Sequence, residues 1–169
     1  MQEKLVLWAA QGFGVGKLPK APGTFGTLAG FAWVACLMAT GRTWAYVAGT
    51  LLGCLFAVYV CGRAEKLLNE TDPPSVVIDE IAAFPLCFVG PVLAARSIGR
   101  WPGVQFWAST HGIIFAILGF ALFRLFDIWK PGPIRTSQKL PGGWGVVIDD
   151  VLAAGLAGLI LSIGERLSQ

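Results

Sequence analysis

Residues 140–164 read LPGGWGVVIDDVLAAGLAGLILSIG, a run with no basic side chain and only two acids, Asp149 and Asp150, set side by side. A helix needs roughly 20 mostly apolar residues to cross a bilayer, so this run is long enough to span. Gly142-Gly143 breaks the chain ahead of the apolar part, and Gly155 and Gly158, with Ala154 and Ala157, predict a small-residue face for close helix packing. An Asp at the centre of a membrane helix costs about 2.5 to 3.5 kcal/mol, and less near its ends. The acid pair therefore calls for compensation from elsewhere in the chain.

Working outward, residues 73–95 repeat the pattern, with Asp79 and Glu80 as the acids inside an apolar run. Three further runs, 21–41, 43–62 and 101–123, hold 21, 20 and 23 residues with no charge at all. The reading is an all-α, polytopic membrane bundle of about five transmembrane helices, with 1–169 as a single domain. Asp72-Pro73 is read as the N-cap and first residue of the third helix. The glycines at 23, 26 and 30 suggest that the first spanning helix begins as an irregular or re-entrant segment. Ahead of it, residues 5–10 are too short an apolar run for a secretory signal, and a short interfacial helix held by Trp8 is expected.

Composition agrees. Of 169 residues only 14% are charged, against roughly a quarter in a soluble domain, while 55% are hydrophobic, with seven Trp and eleven Phe. That excludes an ordinary soluble enzyme, a disordered chain and a nucleic-acid binder. Nine basic residues (Lys4, Lys17, Lys20, Arg63, Lys66, Arg124, Lys130, Arg135, Lys139) fall on the side of the N-terminus and four (Arg42, Arg96, Arg100, Arg166) on the other. The bias predicts the N-terminus inside and the C-terminus outside. Cys36, Cys54, Cys61 and Cys87 lack metal-ligand spacing and read as packing residues.

With that topology every polar cluster meets at the inner side. Asp79 and Glu80 lie about seven residues along the third helix, roughly 10 Å at 1.5 Å per residue, and Asp149 and Asp150 lie about as deep in the fifth. Asp127 closes the inner end of the fourth. Five carboxylates with no histidine or thiolate point to a hard divalent cation, Mg²⁺ or Mn²⁺, although Arg124 and Asp127 at i,i+3 could also simply pair. Lys130, Arg124 and Arg135 supply positive charge. Gly23, Thr24, Gly26 and Thr27, at a helix start, fit either a phosphate cradle or a bend with caps. Acids suited to metal beside bases suited to phosphate predict phosphoryl chemistry on an anionic lipid. His111, on the outer half of its helix, reads as structural.

These stretches resemble the phosphatidylglycerophosphatase A family of bacterial phospholipid synthesis. The similarity lies in GFGVGKLPKAPGTFGTLAG (12–30), VVIDEIAAF (76–84), FRLFDIWKPGPIR (123–135) and GGWGVVIDDVLAAG (142–155). It implies a Mg²⁺-dependent hydrolase of the terminal phosphate of phosphatidylglycerophosphate, working at the cytoplasmic face of the bacterial inner membrane. It carries the family's acidic positions onto Asp79, Glu80, Asp127, Asp149 and Asp150. Two departures stand out: Ala83 replaces a usual glycine, and Thr136-Ser137-Gln138-Lys139 stands where many members carry Asp-Arg. One or two Mg²⁺ ions, and attack by an activated water or through an aspartyl-phosphate, remain open at this level. A cation- or proton-coupled transporter is the competing class, opposed by the apolar outer halves of the helices.

Overall fold

The computed structural model describes residues 1–97, 99, 101 and 103–167, and these form helices only. Arg100, counted above on the outer side, lies outside the described residues. A short helix α1 (Gln2–Ala10) leads through a 3-10 turn (Gly12–Lys17) into α2 (Pro22–Ala39), then α3 (Thr43–Leu68), α4 (Ile78–Ala83), α5 (Val89–Ser97), α6 (Thr110–Trp129), the short α7 (Pro133–Ser137) and α8 (Gly143–Leu167). Five helical segments are long and apolar enough to cross a membrane: α2, α3, the continuous 78–97 stretch, α6 and α8. The bundle is the one expected from the uncharged runs.

Local chemistry sets the helix ends. Pro22 opens α2, where its missing N–H has no helical partner to lose. Ser109 caps α6, its Oγ accepting from the Gly112 N–H at 3.0 Å. Gly142, at φ 58°, turns the chain immediately before α8. The irregular backbone expected at the start of the first spanning helix lies earlier, in the Gly12–Lys17 turn, and α2 itself is regular.

The third span corrects the sequence reading. Its helix starts at Ile78, not at Pro73, and its N-cap Val77 offers no side-chain cap. Asp79 and Glu80 accordingly sit in the first turn rather than about 10 Å in. The span is interrupted by a 3-10 stretch, Phe84–Phe88, because Pro85 cannot donate to the carbonyl four residues back. Carbonyls in and just before this stretch find partners on α3: Tyr46 donates its hydroxyl to the Pro85 carbonyl at 2.9 Å, and Cys54 its thiol to that of Ala82 at 3.5 Å. Without water in a bilayer core, such internal partners are what make an irregular span tolerable.

Residues 78–97 and α8 are the innermost spans, 56% and 50% buried, against 28% for α3 and α6. The two helices that carry acid pairs thus occupy the middle of the bundle. Phe31, Phe84, Phe88 and Phe123 fill the space between α2, α6 and the kinked span with edge-to-face contacts 4.7 to 5.6 Å apart. On α8, Ala153, Ala154 and Ala157 are fully buried, and Gly158 lies against the Leu86 and Cys87 carbonyls. Gly155, expected on that small face, points into open space. Outward-facing rows such as Leu51, Leu52, Leu55 and Phe56 of α3 are exposed and apolar, as a lipid-facing surface requires.

Candidate active site

All the sequence-flagged acids come together at the end of the bundle where α2, α4 and α8 begin and α6 ends. There a cavity of about 330 Å³ is lined by Asp72, Asp79, Glu80, Asp127, Asp149 and Asp150, by Arg124 and Lys130, and by Ala21–Gly23 and Pro73–Pro74. Six carboxylates face two cations. Asp79, Asp149 and Asp150 are 6%, 3% and 3% exposed.

The charges alternate along a chain. Arg124 Nη1 donates both to Glu80 Oε1 at 2.9 Å and to Asp127 Oδ2 at 2.7 Å. Lys130 Nζ lies 3.9 Å from Asp127 Oδ1 and donates to Asp149 Oδ2 at 2.5 Å. Gln138 Nε2 donates to the same Asp149 oxygen at 3.2 Å. Arg124 and Asp127 thus do pair at i,i+3, and the pair is one link of a larger network. Asp79 and Asp150 stand outside this chain and have no basic partner among the described residues. Two buried oxygens, Asp79 Oδ1 and Glu80 Oε2, accept no hydrogen bond. Lys130 lies just beyond the end of α6. Burial disfavours its ammonium, but the hydrogen bond and charge of Asp149, with Asp127 and Asp150 behind it, prevail and hold its pKa above the ordinary 10.5.

Glycine has a different job here from the one expected. A methyl group added to Gly23 or Gly26 would run into the two carboxylate oxygens of Glu80. These glycines let a carboxylate press against the first turns of α2, close to its positive end. Of the expected phosphate cradle, only Gly23 lines the cavity. Thr27 is fully buried, its hydroxyl donating to the Gly23 carbonyl at 3.0 Å, and Thr24 does not reach the cavity wall. Arg135, on α7, is exposed and also outside the lining.

Two contributors were not expected from the sequence. Asp72, read as a helix cap, is a wall of the cavity. Gln138, noted only as a departure, holds Asp149. Ala21, Asp72 and Lys130 all have left-handed backbone, at φ 47°, 49° and 47°, and all three line the cavity. Such conformations are costly for non-glycine residues and gather where a site needs them. The one available signal was Asp72 preceding two prolines just ahead of the acidic helix.

His111 is exposed and rests against the Phe106 and Phe115 rings, 5.8 and 4.9 Å between centroids, outside the acidic cavity. All four cysteines are free; Cys54, Cys61 and Cys87 are buried packing residues, whereas Cys36 is exposed.

The architecture defines a class: a helical membrane protein with a carboxylate-rich, base-bridged cavity at one end of its spans. The family profile described as phosphatidylglycerophosphatase A matches residues 8–165, and the chain belongs to that family. A Haemophilus influenzae phosphatidylglycerophosphatase A is 38% identical over 148 residues, 86% of this chain and 79% of that protein. The Escherichia coli phosphatidylglycerophosphatase A is 33% identical over 162 residues, 93% and 82%. A Bacteroides thetaiotaomicron protein named as a putative phosphatidylinositol-3-phosphatase is 35% identical over 158 residues, 91% and 89%. No solved structure matches the chain.

Proposed function

We propose that this protein is a Mg²⁺-dependent phosphatase that converts phosphatidylglycerophosphate to phosphatidylglycerol and phosphate at the cytoplasmic face of a bacterial inner membrane. The observation that carries the reading is the cavity itself, in which six carboxylates outnumber two cations at one end of an otherwise apolar bundle. Family membership supplies the lipid phosphomonoester. The nine-to-four bias of basic residues supports the cytoplasmic side.

The donors suit a hard divalent ion: the ligands on offer are carboxylates, and Asp79 Oδ1 and Glu80 Oε2 are buried with no partner. Among the described residues no three acids are already drawn together as a finished ligand set. Arg124 and Lys130 occupy the space between them. Asp79, Glu80, Asp127, Asp149 and Asp150 are the residues that would hold Mg²⁺. When bound, the ion supplies charge stabilisation for the phosphoryl oxygens and acidifies a water.

The chain's own residues do the rest. Arg124 and Lys130 present the cationic donors that a phosphomonoester dianion recruits, in a site sheltered from bulk solvent where such donors act strongly. Because Asp149 keeps Lys130 protonated, it stays charged through the neutral range. Gln138 fixes one Asp149 oxygen, and Gly23 and Gly26 fix the placement of Glu80.

The experiment is phosphate release by the purified protein from vesicles carrying phosphatidylglycerophosphate, with Mg²⁺ or EDTA, beside phosphatidylinositol 3-phosphate and glycerol phosphate. EDTA-sensitive release from phosphatidylglycerophosphate is expected. Preference for the inositol lipid would reassign the headgroup, and release unaffected by EDTA would remove the metal. Cation flux without phosphate release would favour the transporter.

A further inference from the structure

The acidic cavity closes one end of a seam between α2 and α6, and the rest of that seam is apolar. On α6, Ile113, Ile117, Phe120, Arg124 and Asp127 follow one another at alternating steps of four and three, which places them on one helix face. At the polar end the Arg124 side chain reaches from α6 to the first turn of α2, where an added Cβ on Gly23 would lie 3.1 Å from its Nη1. Beyond that point opens a groove of about 380 Å³, lined by Leu28 and Phe31 of α2 and by the apolar part of the α6 row. Trp107 bounds its far end, held by an edge contact with Phe88 at 4.9 Å. From Arg124 to Ile113 the helix rises about 16 Å, close to half of a roughly 30 Å hydrocarbon core. Leu28, Ile113 and Ile117 are 46%, 48% and 62% exposed, so the groove is open sideways to lipid.

We propose that this α2–α6 seam seats one acyl chain of the lipid substrate, with the headgroup phosphate lying over Arg124 at its polar end. The proposal rests on the lipid-phosphatase reading above and adds where the tail lies. Lipid tails are as apolar as the groove, so the seat supplies little transfer energy. What it supplies is position: a tail held against α6 sets the depth and direction from which the headgroup meets the cavity. A larger groove of about 750 Å³, between α2 and α3 and lined by Trp33, Leu52 and Phe56, is the natural control. Helix α4 divides it from the cavity, with Ile78 and Ile81 on the groove side and Asp79 and Glu80 on the cavity side.

Two measurements test the seat. Ala116→Phe narrows the seam and Leu52→Trp the control groove. For long-chain phosphatidylglycerophosphate with Mg²⁺, Ala116→Phe is expected to lower kcat/KM by about tenfold or more, while a short-chain analogue with the same headgroup changes by less than about twofold. Leu52→Trp should change neither. Equal losses on both substrates, or no loss on either, would overturn the seat. The second measurement does not depend on folding of a variant or on turnover: wild-type protein is irradiated with phosphatidylglycerophosphate carrying a diazirine at the tail end. Crosslinks to Ile113, Ile117 or Trp107 are expected, and crosslinks confined to Leu52 and Phe56 would overturn the proposal. Crosslinks on α6 without any phosphate release would uphold the seat and count against the reaction instead.

Discussion

Glu80 owes its position to two residues that have no side chain. Gly23→Ala puts a methyl group where its carboxylate lies, and should push Glu80 off Arg124. We expect phosphate release to fall by about tenfold or more, on the scale seen when an outer partner of a metal site is lost. Thr27→Val is the matched contrast. Its hydroxyl serves only its own helix, so a loss of about 1 kcal/mol in stability and near-normal turnover are expected. The opposite pattern, with Thr27 essential and Gly23 replaceable, would restore the phosphate-cradle reading. Lys130 makes a pH prediction whose sign follows from its raised pKa: its ammonium stays charged at pH values well below that pKa and loses its proton only as pH rises through it. Lys130→Arg, charged throughout, should therefore keep the shape of the rate profile between about pH 6 and pH 9. A basic limb present only in the wild type would mean that Lys130 titrates during the reaction.

Among the elements, α8 is the axle of the molecule, and its two small-residue positions are not equivalent. Gly158→Ala would place a methyl group 2.9 and 3.0 Å from the Leu86 and Cys87 carbonyls, with backbone unable to yield cheaply, and should destabilise by about 1–3 kcal/mol. Gly155→Ala meets nothing and gains helix propensity, for a neutral change or a gain of up to about 1 kcal/mol. Thermal unfolding in detergent separates the two. The sequence pattern alone made them look alike, because spacing reveals which residues are small but not which way the helix is turned. The same limit explains Asp72 and the third helix. The proline after Asp72 signals a helix start, yet the chain runs on from left-handed backbone at Asp72 through a turn closed by Val76 N–H on the Pro73 carbonyl before Ile78, and only the folded loop reveals Asp72 as a cavity wall. Helix existence was legible because charge-free runs of spanning length have few other uses. Four of the five acids drew notice because they interrupt apolar runs, and Asp127 because it closes the end of one. Thr24, Thr27 and Arg135 lie off the cavity wall, which local composition could not show, because helix rotation and loop path decide what they face.

At the scale of the whole molecule, five candidate spans would put the two termini on opposite sides, and the orientation we propose from the basic bias places the N-terminus in the cytoplasm. A reporter active only outside the cytoplasm should therefore work when fused after the C-terminus and fail at the N-terminus; the reverse would turn the cavity away from the cytoplasm. The bundle keeps its acid-bearing spans innermost and its apolar spans against lipid, so a site of net negative charge is held at one end of a bundle whose middle is apolar. In the proposed Mg²⁺-dependent phosphatase site these acids act together, and Asp149 is their junction, held by both Lys130 and Gln138. The most direct measurement compares Mg²⁺-dependent phosphate release from phosphatidylglycerophosphate by the wild type and by folded Asp149→Asn. A loss of about 100-fold or more is expected, and a variant that retains full Mg²⁺-dependent turnover would exclude Asp149 and its network from the reaction.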